Sequence, residues 1–235
     1  FSAPQLLTCS QWIATMQAQQ AFVWIALHGG IGEDGTLQQQ LATAGLLYNG
    51  SGAQASRDCM DKMQTAKLLA TLQDPALRCC QKTRINCQDI AALSPTDLAA
   101  RWRALCQQHK TQRLLIKPQM DGCSAGIIML DCPESLHQFA RAVSSQARCI
   151  AAHTLPHQPE ELTLPEDPTT PFMIEPYIET DQLAIEHKQL VINARSGWLE
   201  CTVGVLIDEG KVTVLTPSIT VAQKGVLSLA EKFQG

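Results

Sequence analysis

This sequence has no long apolar segment. Its apolar runs all fall short of the roughly eighteen residues that a membrane-spanning helix needs, so we expect no membrane partner. It also has no excess of positive charge. The formal net charge of -4 argues against nucleic acid or an anionic membrane surface as a partner. No secretory leader is visible. These absences leave a globular protein as the expected class, and a content of 45% apolar residues is ample for a hydrophobic core.

The ten cysteines form no CxxC pair. The spacing of Cys79, Cys80 and Cys87 matches no zinc-binding pattern. A chain of 235 residues does not need disulfides to be stable, and several of the cysteines lie within apolar patterns. We therefore expect free thiols in a reducing compartment. The chain begins at Phe1 and stops at Gly235, and we expect it to be an internal piece of a longer protein.

The first informative stretch is 23–62. A short apolar run, 23–27, predicts a buried strand that ends at the turn His28-Gly29-Gly30, and a helical pattern follows over 37–46. A strand, a glycine turn and a helix in this order are typical of a Rossmann-like layer, in which ligands bind beyond the carboxyl ends of the strands. We therefore expect Trp24 and Leu27 in the core, and His28 and Glu33 at a ligand cleft.

The second informative stretch is 113–130. Two predicted strands, 114–116 and 127–130, flank Lys117 and the small-residue loop 121–126. Backbone N–H groups in such a loop can lie over phosphates. On this stretch alone, an ordinary hairpin with an exposed lysine is the simpler interpretation.

Pattern and capping residues predict the other elements. Helices are expected at 4–20, at 55–72, from the cap Ser94-Pro95 to His109, and at 135–152. The proline-rich stretch 153–171 predicts a linker or surface insertion without packing. A strand at 172–174 leads to Glu175-Pro176. Turns are expected at 194–197 and 208–211, with one strand over 198–206.

Three motifs occur in a specific order: HGGIGEDG, then GLLYNGSG, then MDKMQTAKLL. This order resembles the D-alanine–D-alanine ligase family of ATP-grasp enzymes, whose motifs read HGxxGEDGxxQxxL, GxxYxGSG and MDKxxTKxxL. The loop DGCSAG resembles the family's lid loop, KPxxEGSSxG. It departs from that pattern at Asp121, which replaces a glutamate, and at Cys123, which replaces a serine. We associate this form with plant and algal members. The resemblance runs from about Val23 to Phe233.

The resemblance implies an α/β fold: a partial Rossmann-like N-terminal layer followed by an ATP-grasp fold that is truncated at its C-terminus. It implies three parts. Residues 1–54 would be the remainder of a substrate domain. Residues 55–171 would form the central subdomain with the phosphate lid, and 172–235 the start of an incomplete C-terminal subdomain.

The resemblance also implies an ATP-dependent ligase that joins two D-alanines through an acyl-phosphate intermediate. The process that this reaction would serve is peptidoglycan biosynthesis. The catalytic residues would be Ser124 and Lys232. The substrate-binding residues would be His28, Glu33, Cys123 and Phe233. The ATP-binding residues would be Lys62, Lys117, Gly122, Ser124, Glu175, Tyr177, Ile178, Asp181 and Gln182. Phe233 stands where the family usually has tyrosine, and the ribose contact stays open between Asp181 and Gln182.

The family holds Mg²⁺ with an aspartate and a later Glu-x-Asn, and no such tripeptide lies in a suitable place here. We expect these ligands beyond Gly235, and no ligase turnover by this chain alone. Two alternatives stay open: a non-catalytic ATP-grasp copy that acts as a binding or regulatory module in a tandem fusion, or another ATP-grasp carboxylate–amine ligase. The resemblance is compatible with a homodimer or tandem copy, and with the cytoplasm or the plastid stroma.

Overall fold

The computed structural model describes residues 6–120, 126–165, 167, 169–187 and 189–219. The chain separates into two compact units, the first ending at Pro176 and the second beginning at Tyr177. No helix in the described ranges is both long and apolar enough to cross a membrane. Nine cysteines fall within these ranges, and all of them are free thiols.

The first unit begins with helix α1 (Cys9–Ala18), which Thr8 caps by accepting a hydrogen bond from the Gln11 N–H. A short 3-10 helix (Gly30–Gly32) and helix α2 (Thr36–Thr43) follow. A small buried cluster holds this part together, and partly buried side chains of α1 pack against it. Its buried members are Val23, Leu37, Leu41 and Leu46.

The predicted strand 23–27 is wrong beyond its first residue. Only Val23 pairs, in a single parallel bridge to Tyr48. Trp24 and Leu27, which we expected in the core, are 74% and 54% exposed. The apolar run reads like a buried strand, but a single bridge does not supply neighbours that cover both faces of a strand.

The helix predicted over 55–72 is two helices, α3 (Ala53–Met60) and α4 (Lys62–Thr71). They are separated at Asp61, whose backbone is extended (ψ 102°) and whose side chain accepts hydrogen bonds from the Met63 and Gln64 N–H groups. Asp61 therefore caps a new helix instead of continuing the old one. Its backbone also forms an antiparallel bridge with Met120.

A four-stranded antiparallel sheet forms the centre of the first unit. The described part of the first unit has six strands, four of which form this sheet: β1 (Thr83–Ile85), β2 (Leu114–Pro118), β3 (Ile128–Leu130), β4 (Cys149–Ile150), β5 (Leu162–Thr163) and β6 (Phe172–Pro176). The sheet order is β1-β6-β2-β3, so β6 is a central strand although it comes last in the chain. The predicted hairpin of β2 and β3 is confirmed, with Leu114 opposite Leu130.

One face of this sheet carries the main core. Alternate residues such as Leu114, Ile116, Phe172 and Ile174 point to that face and are buried. They pack with helices α5 (Cys87–Ala91), α6 (Pro95–His109) and α7 (Pro133–Ser144). Helix α6 starts as predicted, with Ser94 accepting a hydrogen bond from the Asp97 N–H. Helix α7 ends earlier than predicted, and the chain then forms β4.

The stretch 153–171 is not the unpacked linker that its prolines predicted. Strand β5 pairs with β4, and Leu155 and Leu164 are buried in the main core. The buried side chain of Gln158 donates to the carbonyl groups of Ile150 and Glu160, both at 2.9 Å. The proline content indicated the irregular backbone correctly but not the burial of the two leucines that directly precede prolines.

The described part of the second unit forms short antiparallel strands. They are β7 (Gln182–Glu186), β8 (Gln189–Asn193), β9 (Cys201–Thr202), β10 (Val205–Asp208), β11 (Lys211–Val214) and β12 (Ser218–Ile219). The predicted turn at 208–211 is confirmed. Glu209 and Gly210 both have positive φ (46° and 80°), as a two-residue hairpin requires. The single strand predicted over 198–206 is wrong, since β9 and β10 are separate.

Candidate active site

The polar face of the four-stranded sheet holds a carboxylate between two lysines. Glu175 on β6 lies opposite Leu115 on β2, so Lys117, two residues further along β2, shares its face. The Lys117 Nζ contacts Glu175 Oε1, and the Lys82 Nζ lies 2.5 Å from Glu175 Oε2. Both lysine side chains are 17% exposed and that of Glu175 is 11% exposed. Each carboxylate oxygen therefore has its own cation.

The electrostatics of this cluster favour an ionised Glu175. Burial by itself would raise the pKa of the carboxyl, but the hydrogen bonds from Lys117 and Lys82 outweigh it and hold the pKa below its usual 4.5. Two cations against one anion leave an excess of one positive charge in this cluster. Such a face suits an anionic ligand that can draw one lysine away from the carboxylate.

This lowered pKa predicts acid sensitivity. Above pH 4.5 the carboxylate contributes its full stabilisation, which is lost as the pH falls through the lower pKa of the folded protein, because the unfolded chain takes up the proton first. We expect Glu175→Gln to lower the free energy of unfolding at pH 7. Below pH 4.5 the free energy of unfolding should also fall less steeply with pH in the variant than in the wild type, by up to about 1.4 kcal/mol per pH unit. Urea denaturation between pH 3 and 7 measures this, and identical slopes in both proteins would contradict it.

The second part of the site is the junction between α4 and the end of β2. The Lys62 N–H donates to the Gln119 carbonyl at 3.1 Å, and the Gln119 side-chain amide donates to both oxygens of Asp61 at 3.0 and 2.9 Å. Burial opposes ionisation of Asp61, yet hydrogen bonds from the Gln64 N–H, Gln119 and the Met63 N–H lower its pKa. This junction places the backbone of Lys62 beside the strand end that carries Lys117.

Asp61 therefore stabilises the fold in two ways, and we expect Asp61→Ala to lower the stability of the protein. The substitution removes the α4 cap and leaves the buried Gln119 amide without its acceptor, which together should lower the free energy of unfolding by about 1–3 kcal/mol. Chemical denaturation measures the loss. Asp89→Ala, at an exposed position in α5, is the matched control and should change stability by less than about 0.5 kcal/mol. Equal losses of stability in both variants would contradict the stabilising role of Asp61 at this junction.

The N-terminal motif forms a compact turn around Glu33. Glu33 Oε2 accepts a hydrogen bond from the Gly29 N–H at 2.9 Å, and the His28 Nδ1 lies 3.6 Å from Glu33 Oε1. Gly35 has φ 85°, and a Cβ there would lie 2.2 Å from the Ala53 carbonyl oxygen. Only glycine therefore allows this close approach between the start of α2 and α3.

The second unit begins with the segment predicted to bind adenine and ribose. Ile178 is half exposed. Asp181 Oδ1 accepts hydrogen bonds from three backbone N–H groups, at 2.7, 2.7 and 2.9 Å, which lower the pKa of this carboxyl. The donors are Arg195, Ser196 and Gly197. Gln182 Oε1 accepts from the Arg195 guanidinium at 2.6 Å. Asp181 therefore organises the turn that the sequence predicted at 194–197.

Comparison of the amino-acid sequence with known proteins finds similarity to D-alanine--D-alanine ligases. The chain is 34% identical over 134 residues to a D-alanine--D-alanine ligase of Chlorobium chlorochromatii, a match that covers 57% of this chain and 34% of that protein. It is 33% identical over 141 residues to a D-alanine--D-alanine ligase of Deinococcus radiodurans, covering 60% of this chain and 39% of the relative. This chain is a relative of the D-alanine–D-alanine ligases.

Solved structures related to these ligases share the fold. The D-alanyl-alanine synthetase A of Vibrio cholerae aligns with a TM-score of 0.56 at 16% identity, over 91% of this chain and 49% of that one. The D-alanine-D-alanine ligase of Coxiella burnetii aligns with a TM-score of 0.53 at 19% identity, over 83% and 43%. The α/β fold class predicted from the sequence is confirmed. No model of a protein family matches the chain.

The chain spans little more than a third of the length of these two ligase relatives. Both of them are bacterial, so the plant or algal affinity read from the lid loop stays a prediction. Five of the residues predicted to act in such a ligase lie outside the described residues. They are Gly122, Cys123, Ser124, Lys232 and Phe233.

Lys82 is a site residue that the ligase motifs did not indicate. It stands just before β1 and outside all the motifs. Only the pairing of β1 with β6 brings it to Glu175, which is 93 positions away in the chain. The one signal in the sequence is the alternation Lys82-Thr83-Arg84-Ile85, which is typical of a half-buried strand with cations on its open face.

Proposed function

We propose that this protein is an ATP-dependent ligase that joins two D-alanines and that this chain supplies part of its nucleotide site. The observation that carries the proposal is the junction of Asp61, Lys62 and Gln119. It brings the lysine of one ligase motif beside the strand that holds Lys117, the lysine of another. Two cations carried by separate elements that meet at this junction, Lys62 on α4 and Lys117 on β2, suit the phosphates of ATP.

In this proposal the described cations do the electrostatic work. Lys62 and Lys117 hold the phosphates, while the ionised Glu175 accepts a hydrogen bond from the adenine edge. Phosphoryl transfer needs positioning and charge stabilisation more than covalent help from the protein. We keep the predicted roles of Tyr177 and Ile178 at adenine, of Asp181 or Gln182 at ribose, and of His28 and Glu33 near the first D-alanine.

The remaining predicted roles belong to residues outside the described ranges. Gly122 and Ser124 would cover the phosphates, Lys232 would approach from a closing loop, and Cys123 and Phe233 would line the substrates. Mg²⁺ is part of the proposal as a charge that neutralises the phosphates when it is bound. Among the described residues, no group of three or more His, Cys, Asp or Glu side chains could hold it.

The reaction in this proposal has two steps. A carboxylate oxygen of the first D-alanine attacks the γ-phosphorus, and the bond from that phosphorus to the β,γ-bridging oxygen breaks, which releases ADP. The amine of the second D-alanine then attacks the acyl phosphate carbon. Inorganic phosphate leaves and the amine loses a proton, so the site must exclude water from the acyl phosphate.

Two measurements test this function. The protein should bind ATP in titration calorimetry, and the product of the complete reading frame should release phosphate from ATP only when D-alanine is present, with one dipeptide formed per phosphate. ATP binding without D-alanine-dependent release would favour the non-catalytic copy instead. Release that depends on a different amino acid would favour another carboxylate–amine ligase.

The proposal extends to organisation and compartment. We propose the divisions 1–54, 55–171 and 172–235 as the substrate domain, the central subdomain and the C-terminal subdomain. ATP and D-alanine are the proposed small-molecule partners, with a homodimer or tandem copy as the proposed assembly. The free thiols support a reducing compartment, for which we propose the cytoplasm or the plastid stroma.

A further inference from the structure

We infer that Lys82 is a positioning residue of the nucleotide site, one that keeps the Glu175 carboxylate fixed and ionised while Lys117 binds phosphate. The inference rests on the proposed function. Its geometric basis is that each oxygen of the Glu175 carboxylate has a different lysine: Lys117 contacts Oε1, and Lys82 Nζ lies 2.5 Å from Oε2. Lys117 lies on β2 and Lys82 just before β1, on opposite sides of β6, so one lysine can move without the other.

The argument begins with burial. The Glu175 side chain is only 11% exposed, and a buried carboxylate without a cation takes up a proton instead of staying charged. Polyphosphate competes with Glu175 for Lys117, because phosphate oxygens are strong partners for an ammonium group. Once Lys117 has turned to the phosphate, Lys82 is the cation that still compensates Glu175.

The neighbouring thiol does not take over this role. Cys80 lies close enough to Glu175 and both lysines for their charges to act on it, and burial together with the Glu175 carboxylate raises its pKa. It therefore stays a neutral thiol and neither competes for the lysines nor compensates the carboxylate. Lys82 and Lys117 remain the two cations in contact with Glu175 among the described residues.

The consequence concerns which base the site accepts. An ionised carboxylate has acceptors only, so it pairs with a ring edge that donates N–H, such as the exocyclic amine of adenine. A protonated carboxyl also donates, and it can pair with the ring carbonyl of hypoxanthine. By keeping Glu175 ionised, Lys82 favours amino purine nucleotides over oxo purine nucleotides.

The test compares ATP and ITP binding in four proteins by titration calorimetry at pH 7.5 and pH 5.5. They are the wild type, Lys82→Met, Lys82→Arg, and Lys110→Met as a matched control at an exposed helix end. We expect Lys82→Met to weaken ATP binding about tenfold at pH 7.5, the lower end of the range for a charge-assisted contact. ITP binding should weaken less, so the preference for ATP narrows.

The pH dependence separates positioning from a merely structural role. In Lys82→Met the pKa of Glu175 should rise, so ATP affinity should fall more steeply towards pH 5.5 than in the wild type. Lys82→Arg should restore both the affinity and the preference, since it keeps the charge. Circular dichroism checks that each variant is folded, and if Lys82→Met does not fold, the same comparison is made with Lys82→Gln.

Two outcomes overturn the inference, and they differ. If the wild type binds ATP but Lys82→Met shows the same affinity, preference and pH dependence, Lys82 has no part in the site and the proposed function stands. If the wild type does not bind ATP at all, the proposed function fails and the role of Lys82 falls with it.

Discussion

Replacing Lys117 by alanine should weaken ATP binding by about 1.5–3 kcal/mol, or roughly 10- to 150-fold in Kd. Lys117 is the lysine whose strand end lies beside the Lys62 backbone, so its loss removes the cation best placed for the phosphates. The variant also leaves Glu175 paired with Lys82 alone, so the cluster that ATP must approach loses its excess positive charge. Both effects act in the same direction.

Titration calorimetry with ATP measures this loss, and Lys110→Ala is the control. Lys110 is an exposed lysine at the end of α6, and its removal should leave ATP affinity unchanged. Thermal unfolding without nucleotide, run on both variants, separates lost binding from lost folding. An ATP affinity in Lys117→Ala equal to that of the wild type would remove Lys117 from the site.

Replacing Phe172 by alanine should lower the free energy of unfolding by about 3–5 kcal/mol. Phe172 is 2% exposed, and its ring meets that of Phe139 edge to face, with centroids 5.3 Å apart and planes at 82°. It stands at the start of β6, where it pairs with Ile85 on one side and Pro118 on the other. Truncation therefore leaves a cavity under the central strand, which carries Glu175.

Urea denaturation of Phe172→Ala and Phe22→Ala tests this. Phe22 is 59% exposed, so its truncation should cost less than about 0.5 kcal/mol. The loss at Phe172 should also appear as weaker ATP binding, because a displaced β6 moves Glu175 away from both lysines. Equal stability of the two variants would show that the core beneath the site is not packed as described.

Local signals predicted the elements that depend on local chemistry. Ser94 followed by proline marked the start of α6, and the turn at 208–211 marked a hairpin, because caps and tight turns are decided by a few neighbouring residues. The same signals failed at Asp61. Its neighbours read as one helix, and the hydrogen bonds that Asp61 also accepts from the Gln119 amide, 58 positions away, cannot be read from those neighbours.

Burial was the least predictable property. Trp24 and Leu27 have the residue types of a core strand and are exposed, whereas Leu155 and Leu164 each directly precede a proline and are buried. An apolar side chain is buried only where another element covers it, and which element does so is not encoded in the neighbouring residues. Composition therefore identified the candidates for the core without deciding among them.

By itself, the sequence determined the kinship of this chain and the periodicity of its longer elements. Motif order and residue spacing are written along the chain, and the helical spacing of Leu98, Trp102 and Leu105 in α6 needs no partner to be read. The tertiary structure alone decided that Lys82 meets Glu175 across 93 positions, and that Asp61 holds Gln119 across 58. Such contacts depend on strand order, which places β6 between β1 and β2. Strand order results from the packing of the whole unit, because each strand lies where its apolar face can be covered.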